Sequence, residues 1–167
     1  LDAMGGTIEV ESEKGKGSCF EILLDLKIVK DHEVVSTKIE NSMESISGMK
    51  FLCAEDNELN AEILEELLKY EGAKCVICEN GKKIVETFEQ SKPGEYDMIL
   101  MDIQMPIMNG YEATLKIRSF DQNIPIIAMT ANAFAEDTQK ALSVGMNAHV
   151  AKPVDMNILV PTMMKYL

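Results

Sequence analysis

Residues 49–167 predict an α/β fold, a doubly wound parallel sheet with helices on both faces. Two observations predict it: five short apolar runs alternate with helical segments, and Gly72, Gly94 and Gly145 fall near the predicted helix ends, where a left-handed residue is often needed. Five consecutive βα units imply a parallel sheet with right-handed crossovers. In such open sheets, sites form beyond the carboxyl ends of the strands.

The first 28 residues predict a β-hairpin that precedes this sheet. Ile8 and Val10 alternate with polar residues, the "EKGKGS" segment (13–18) turns the chain, and a second one-faced run follows. That second run consists of Phe20, Ile22, Leu24 and Leu26. Two strands alone are marginal in water, so we expect the hairpin to pack against something.

Residues 29–48 are polar and weakly periodic, which is typical of a linker. His32 lies in this segment without a long amphipathic helix around it, so we interpret it as a solvated residue and not as a phosphorylation site.

The five βα units can be placed along the chain from their periodicity. The predicted strands are 50–54, 73–79, 96–101, 124–129 and 148–151. The predicted helices are 58–71, 82–91, 110–119, 134–144 and 155–166. The first helix shows the clearest pattern, with Ile63, Leu64, Leu67 and Leu68 at helical spacing.

Composition excludes several classes of protein. The formal net charge of -12 argues against a nucleic-acid surface, since phosphate neutralisation needs clustered Lys and Arg. No run approaches the roughly 18 apolar residues of a membrane span, so we expect no direct membrane contact. No signal peptide opens the chain, so we expect it to be cytoplasmic. Leu1 stands where an initiator Met would, so we expect the chain to be a piece of a longer protein. That parent protein can be membrane-anchored.

The four cysteines do not indicate a disulfide framework. Cys75 and Cys78 have CxxC spacing, but they lie in a β-like run, where positions i and i+3 point to opposite faces. Their sulfurs are therefore not expected to converge on a metal.

Polar residues follow four of the five predicted strands. Because these strand ends share one edge of the sheet, we expect three acids, a hydroxyl and an amine to meet there. Crowded carboxylates repel one another unless a cation joins them, and oxygen ligands without His or thiolate favour Mg²⁺. The residues are Glu55, Asp56, Asp102, Thr130 and Lys152.

Four segments, "FLCAEDNELN", "MDIQMPIMNGYEA", "MTANAF" and "AKP", each lie at one of these strand ends. Together they resemble a response-regulator receiver domain over residues 49–167. The resemblance implies the flavodoxin-like (βα)5 fold, with strand order 2-1-3-4-5.

The resemblance also implies a role for each residue at the strand ends. Asp102 would be the phosphoacceptor. Glu55 and Asp56 would bind Mg²⁺ together with Asp102 and the backbone carbonyl of Gln104. Thr130 would hydrogen-bond the phosphoryl group and Lys152 would pair with it, after a cis Lys152–Pro153 bond. Gln104 and Asn132 would flank the phosphoryl group.

In such domains Thr130 would move toward the phosphoryl group, and an aromatic residue in the fifth strand would turn inward behind it. That position is His149 here, which leaves two interpretations open. His149 is either a partly exposed histidine at a strand start or a switch residue whose protonation biases the change near neutral pH.

The first segment, "MGGTIEVESEKGKGSCFEILLDL", resembles the closing glycine-rich box and last strands of a histidine-kinase ATPase domain. The parts that would hold ATP, and the kinase's own histidine, are absent from this chain, so we do not expect it to phosphorylate anything with ATP. The order implies a hybrid sensor histidine kinase, with residues 1–28 as the kinase end, 29–48 as linker and 49–167 as receiver. The implied partners are the histidine-kinase core and a histidine-phosphotransfer domain.

Three other functions stay open at this stage. A haloacid-dehalogenase-like phosphatase also uses a strand-end Asp, but it needs an acid two positions later, where this chain has Gln104. A flavin-binding module would carry a phosphate-cradling loop where this chain has "AEDNELN". A receiver-like interaction domain that is never phosphorylated would have the same fold. Oligomeric state is also open.

Overall fold

A computed structural model describes residues 7–23, 45–131 and 135–167. The chain forms two compact units, divided between residues 40 and 41. The predicted second-run residues Leu24 and Leu26, most of the linker with His32, and Asn132 lie outside the described residues.

The first unit contains the antiparallel hairpin that the sequence predicts. Strand β1 (Thr7–Glu13) pairs with β2 (Gly17–Leu23) along its whole length. Gly15, with φ of 88°, forms the turn, a conformation that glycine adopts without a steric penalty. The pairing places four large apolar residues on one face, each at least 49% exposed: Ile8, Val10, Phe20 and Ile22.

The second unit contains five strands that alternate with five helices. The strands are β3 (Lys50–Ala54), β4 (Lys74–Cys78), β5 (Met98–Asp102), β6 (Ile126–Thr130) and β7 (Ala148–Ala151). The helices are α1 (Glu58–Tyr70), α2 (Gly81–Glu89), α3 (Gly110–Arg118), α4 (Ala135–Ser143) and α5 (Met156–Met164).

All five strands of this unit are parallel, in the order β4-β3-β5-β6-β7. Counted within the unit, the order is 2-1-3-4-5, so the predicted flavodoxin-like fold is confirmed. Strand β5 lies between β3 and β6 and is buried along its whole length. Its carboxyl end is therefore central to the edge where polar residues gather.

The sheet carries a separate hydrophobic cluster on each face. Leu52 and Ala54 of β3 belong to one cluster, whereas Phe51 and Cys53 belong to the other. This alternation lets one buried strand fill two cores. Cys75 and Cys78 also belong to opposite clusters and all four cysteines are free, as the strand geometry predicts.

Strands β5 and β6 each begin two residues later and end one residue later than predicted. Asp102 is the last residue of β5, paired across from Met129, and Thr130 is the last residue of β6, paired across from Ala151. Both residues are therefore fixed by the sheet and do not belong to a flexible loop.

Side-chain caps determine where three helices begin. Asn57, Asn80 and Asn109 each accept a hydrogen bond from a backbone N–H three residues later. The cap at Asn80 moves the start of α2 to Gly81, one residue before the predicted start. No helix in the described part of the chain is long and apolar enough to cross a membrane.

Candidate active site

The site lies at the carboxyl edge of the parallel sheet, around the end of β5. Asp102 is only 4% exposed there, and its carboxylate has two defined partners. The backbone N–H of Gln104 donates to Asp102 Oδ1 at 3.2 Å, and the ammonium of Lys152 lies 2.7 Å from Oδ2. The strand end therefore places a buried carboxylate against a cation.

Glu55 follows β3 directly and is held by more contacts than any other acid of this cluster. Its Oε2 lies 2.5 Å from Lys152 Nζ. Its Oε1 accepts hydrogen bonds from the Asn60 side-chain amide at 3.2 Å and the Asn57 backbone N–H at 3.4 Å. Lys152 therefore bridges two buried carboxylates, and the first turn of α1 fixes the orientation of one of them.

Burial and ion pairing act in opposite directions on the ionisation of Asp102 and Lys152. Burial raises the pKa of Asp102 above its ordinary value, and the hydrogen bond from Lys152 offsets only part of that rise. For Lys152, burial lowers the pKa, but the contacts with Asp102 and Glu55 outweigh burial and raise it. Lys152 is therefore ammonium at neutral pH, while burial disfavours the ionised form of Asp102.

Three acids come together at this edge. One carboxylate oxygen from each of Glu55, Asp56 and Asp102 lies within 4.8 Å of the other two. Asp56 is the exposed member of the cluster. An all-oxygen set of this kind, without sulfur or imidazole, suits a hard divalent cation such as Mg²⁺, so the residues present fit the metal that the sequence predicts.

A cleft of about 640 Å³ opens beside the acidic cluster. Asp56, Gln104 and Thr130 line it, together with Pro106 from the loop after β5. The sequence predicts Thr130 at the site, and the structure places it there, 8% exposed. The peptide bond between Lys152 and Pro153 is cis, as predicted.

His149 contacts a different element from the acidic cluster. It lies on β7, and its Nε2 is 3.2 Å from the hydroxyl oxygen of Thr138 on α4. The ring is half-buried. Sequence analysis did not identify Thr138, because nothing in the pattern of α4 indicates which of its residues faces β7.

Sequence analysis also missed Asn60 and two cleft residues, Tyr111 and Lys140. Asn60 could have been found, because it lies in the "AEDNELN" segment, five residues after Glu55 and on the first turn of the predicted helix. Lys140 lies 4.4 Å above the ring of Tyr111, and both residues line the cleft. Their contact joins α3 to α4, which the sequence gives no means to predict.

The raised pKa of Asp102 predicts a stability effect with a definite sign. The folded state holds the Asp102 proton more tightly than the unfolded state, so the contribution of this group is most favourable below the ordinary value of 3.8 and is lost as pH rises through the raised value. Asp102→Asn, which carries no charge, should therefore raise the free energy of unfolding near neutral pH by about 1 kcal/mol. Urea unfolding without divalent cations at pH 7.5 and at pH 5 measures this.

Asp56→Asn is the matched control for that experiment. It relieves repulsion in the same cluster but removes an exposed carboxylate, so we expect a smaller gain. A lower unfolding free energy for Asp102→Asn at pH 7.5 would show that the Lys152 contact outweighs burial, contrary to the expected sign.

The comparisons with known proteins agree with this geometry. Residues 51–163 match the family model of the response regulator receiver domain. The aerobic respiration control sensor protein ArcB of Escherichia coli is 34% identical over 166 residues, covering 98% of this chain and 21% of that protein. The chain spans only 7–21% of the length of such curated histidine kinases.

Two solved structures are similar in fold and sequence. The receiver domain of sensor histidine kinase PA1611 from Pseudomonas aeruginosa has a TM-score of 0.65 and 34% identity, covering 72% of this chain and 98% of that one, and it has a magnesium ion coordinated in its active-site cleft. The receiver domain of Ssk1 from Saccharomyces cerevisiae, solved with the phosphotransfer protein Ypd1, has a TM-score of 0.64 and 28% identity, covering 71% of this chain and 88% of that one.

Proposed function

This chain belongs to the response regulator receiver domain family, and on that premise we propose that Asp102 accepts a phosphoryl group from a phosphohistidine in a two-component phosphorelay. The contact between Asp102 Oδ2 and Lys152 Nζ, at 2.7 Å beside two further carboxylates, carries the proposal. This contact supplies a nucleophile and a cation at a strand end, beside a cleft that Asp56, Gln104 and Thr130 line.

Asp102 acts as the nucleophile. Its carboxylate oxygen attacks phosphorus, the phosphorus–nitrogen bond of the phosphohistidine breaks, and the electron pair of that bond returns to the imidazole nitrogen. Attack requires the ionised form, which burial disfavours and Lys152 supports. Lys152 then lies where charge develops on the transferring oxygens, the arrangement that electrostatic catalysis of this reaction requires.

Glu55, Asp56, Asp102 and the backbone carbonyl of Gln104 are the groups that would hold Mg²⁺. When bound, the ion offsets negative charge on the nucleophile and on the transferring phosphoryl group. Asn60 supports this set because it orients Glu55.

Thr130 and His149 form the proposed conformational switch. Thr130 lines the cleft, so its hydroxyl can respond to a phosphoryl group on Asp102. His149 reaches α4 through Thr138, so a change in the His149 rotamer would change how α4 is held against β7. Through this pair, phosphorylation of Asp102 would change the position of α4 on the outer face of the unit.

We also propose that the chain comes from a hybrid histidine kinase. In this proposal residues 1–28 are the end of the kinase ATPase domain, 29–48 a linker and 49–167 the receiver. The match to ArcB supports it because it covers 98% of the chain, including the hairpin. The apolar face of the hairpin supports it too, because such a face belongs against the remainder of a larger core.

A histidine-phosphotransfer domain is the proposed downstream partner. Large apolar residues are exposed along α1: Leu59, in the turn next to the site, is 64% exposed, Ile63 is 50% exposed, and Tyr70, at the far end of the helix, is 88% exposed. The similar receiver domain of Ssk1 was solved in complex with the phosphotransfer protein Ypd1. We propose that α1 is the docking surface, because it also carries Asn60, which contacts Glu55 of the site.

The proposal is tested by incubating the chain with a small phosphodonor and Mg²⁺ and measuring the intact mass. The wild type should gain the mass of one phosphoryl group, Asp102→Asn should gain none, and omission of Mg²⁺ should suppress the gain. Asp97→Asn is the matched control, because Asp97 is an exposed aspartate that directly precedes the other end of the same strand. An interaction domain that is never phosphorylated would show no gain, and a gain that persisted in Asp102→Asn would refute the assignment.

A further inference from the structure

The cleft beside the acidic cluster carries one cation whose role the proposed phosphotransfer does not explain. Among the described residues that line the cleft, Lys140 is the basic one and Asp56 the acidic one, and the others are uncharged. Lys140 comes from α4, whereas Lys152, which pairs with Asp102, directly follows β7. The cleft therefore has a cation of its own, separate from the one that holds the nucleophile.

The position of Lys140 is defined by an aromatic ring. Its Nζ lies 4.4 Å from the centroid of Tyr111, within the range of a cation–π contact. Tyr111 belongs to the first turn of α3, where the capping box of Asn109 and Glu112 fixes the backbone. The ammonium is thus held over a ring that lines the cleft, although the lysine itself is exposed.

A cation in this place matters because the surroundings are negative. The chain has a formal net charge of -12, and three carboxylates meet at the site with a single lysine between them. A donor whose leaving group is an anion adds one more negative charge to these surroundings when it reacts. A volume of about 640 Å³ is ample for such a donor together with water.

We propose that Lys140 makes this cleft a site for small acyl-phosphate donors, by stabilising the carboxylate that leaves. The inference rests on the proposed phosphorylation of Asp102. An oxygen of Asp102 attacks phosphorus, the bond between phosphorus and the acyl oxygen breaks, and its electron pair stays on that oxygen. The product is a carboxylate anion, and the ammonium of Lys140 is the cleft cation that can pair with it.

The donor's leaving group gives this role a distinct signature. Phosphoramidate releases ammonia, after the nitrogen takes a proton from solvent, and so no anion leaves. Lys140 should therefore speed phosphorylation by acetyl phosphate and not by phosphoramidate. A lysine that only held α4 against α3 through Tyr111 would affect both donors alike.

The experiment compares the two donors on wild type, Lys140→Gln and Lys140→Arg, with Mg²⁺ present and intact mass as the readout. For Lys140→Gln we expect a roughly fivefold slower reaction with acetyl phosphate, because one charge contact in a water-filled cleft has an effect of this size. We expect the reaction with phosphoramidate to be unchanged. Lys140→Arg should restore most of the rate. Beryllofluoride, which mimics the phosphoryl group without a leaving group, should bind wild type and Lys140→Gln equally well.

Lys116→Gln is the matched control, because it removes one exposed positive charge from α3 without touching the cleft. It should leave both donors unchanged. Equal slowing of both donors by Lys140→Gln, no slowing at all, or weaker beryllofluoride binding would each overturn the role of Lys140. If wild type reacted with neither donor, the proposed function would fail, and this inference with it.

Discussion

Replacement of Lys152 by methionine should lower the free energy of unfolding by about 3 kcal/mol near neutral pH, because removal of one partner leaves buried charge uncompensated. The ammonium lies 2.5 Å from Glu55 and 2.7 Å from Asp102, and the two acidic side chains are only 3% and 6% exposed. Methionine fills a similar volume but carries no charge. Urea unfolding in the absence of divalent cations measures the loss.

The same substitution should make stability depend more steeply on pH. Without Lys152, only the weaker hydrogen bond from the Gln104 N–H offsets the burial that raises the pKa of Asp102, so the folded state holds this proton still more tightly than the unfolded state. The loss should therefore be largest at neutral pH and should shrink as pH falls through the raised pKa of Asp102. Mass labelling of Lys152→Met should be slower by about 100-fold, the scale expected when one group that stabilises transferring charge is removed.

Lys69→Met is the matched control for both measurements. Lys69 also pairs with a carboxylate, Glu66 at 3.0 Å, but both side chains are about 70% exposed. Solvent already screens that pair, so we expect little change in stability and none in labelling. Equal effects of the two substitutions would show that the buried position of Lys152 has no special importance.

The central part of this site could be predicted because a parallel sheet has simple geometry. Once the runs before Asp102, Thr130 and Lys152 are interpreted as neighbouring strands, their carboxyl ends must share one edge. No knowledge of helix packing is needed for that conclusion. The structure accordingly brings Asp102 and Lys152 into contact, although 50 residues separate them in the chain.

The contacts made by helices could not be predicted in the same way. Thr138 reaches His149, and Lys140 reaches Tyr111, only because of the rotation and height at which α4 packs on the sheet. Helical periodicity gives the face that is buried, but it does not give the neighbour of each residue at the edge of that face. The ends of β5 and β6 were also predicted one residue too early. Asp102 and Thr130 belong to their strands because they pair with residues of the neighbouring strand, and the sequence does not show that pairing.

The loop between Asp102 and α3 is held in a demanding conformation. Ile107 has a φ of 68°, which a β-branched residue rarely adopts. Two glycines allow other backbone to approach the loop closely: Gly81 donates its N–H to the carbonyl of Met108 at 3.1 Å, and Gly110 donates to the carbonyl of Ile103 at 3.0 Å. The position of Asp102 therefore depends on close contacts that side chains would prevent.

Gly110→Ala should consequently damage both the fold and the site. A Cβ at this position would lie well inside contact distance of the backbone carbonyl oxygen of Asp102, and 3.0 Å from the Cα of Ile103. Backbone atoms cannot rotate away as a side chain can, so the end of β5 must shift. We expect the free energy of unfolding to fall by about 2 kcal/mol, as it does for overpacked cores. We expect phosphorylation, measured by intact mass, to slow by about 100-fold, because small displacements of a reacting group reduce the rate strongly.

Gly94→Ala separates the two causes of such a loss. Gly94 has a φ of 74° and open space around the position of a Cβ, so alanine there introduces backbone strain without a steric clash. It should cost about 1 kcal/mol of stability and leave labelling at the wild-type rate, because residue 94 precedes β5 at the end remote from Asp102. If Gly110→Ala lost stability but labelled as fast as Gly94→Ala, then the carbonyl of Asp102 could move without moving the nucleophile. The close approach of Gly110 would in that case maintain only the fold, and the geometry of the Asp102 carboxylate would depend on its contacts with Lys152 and Gln104 alone.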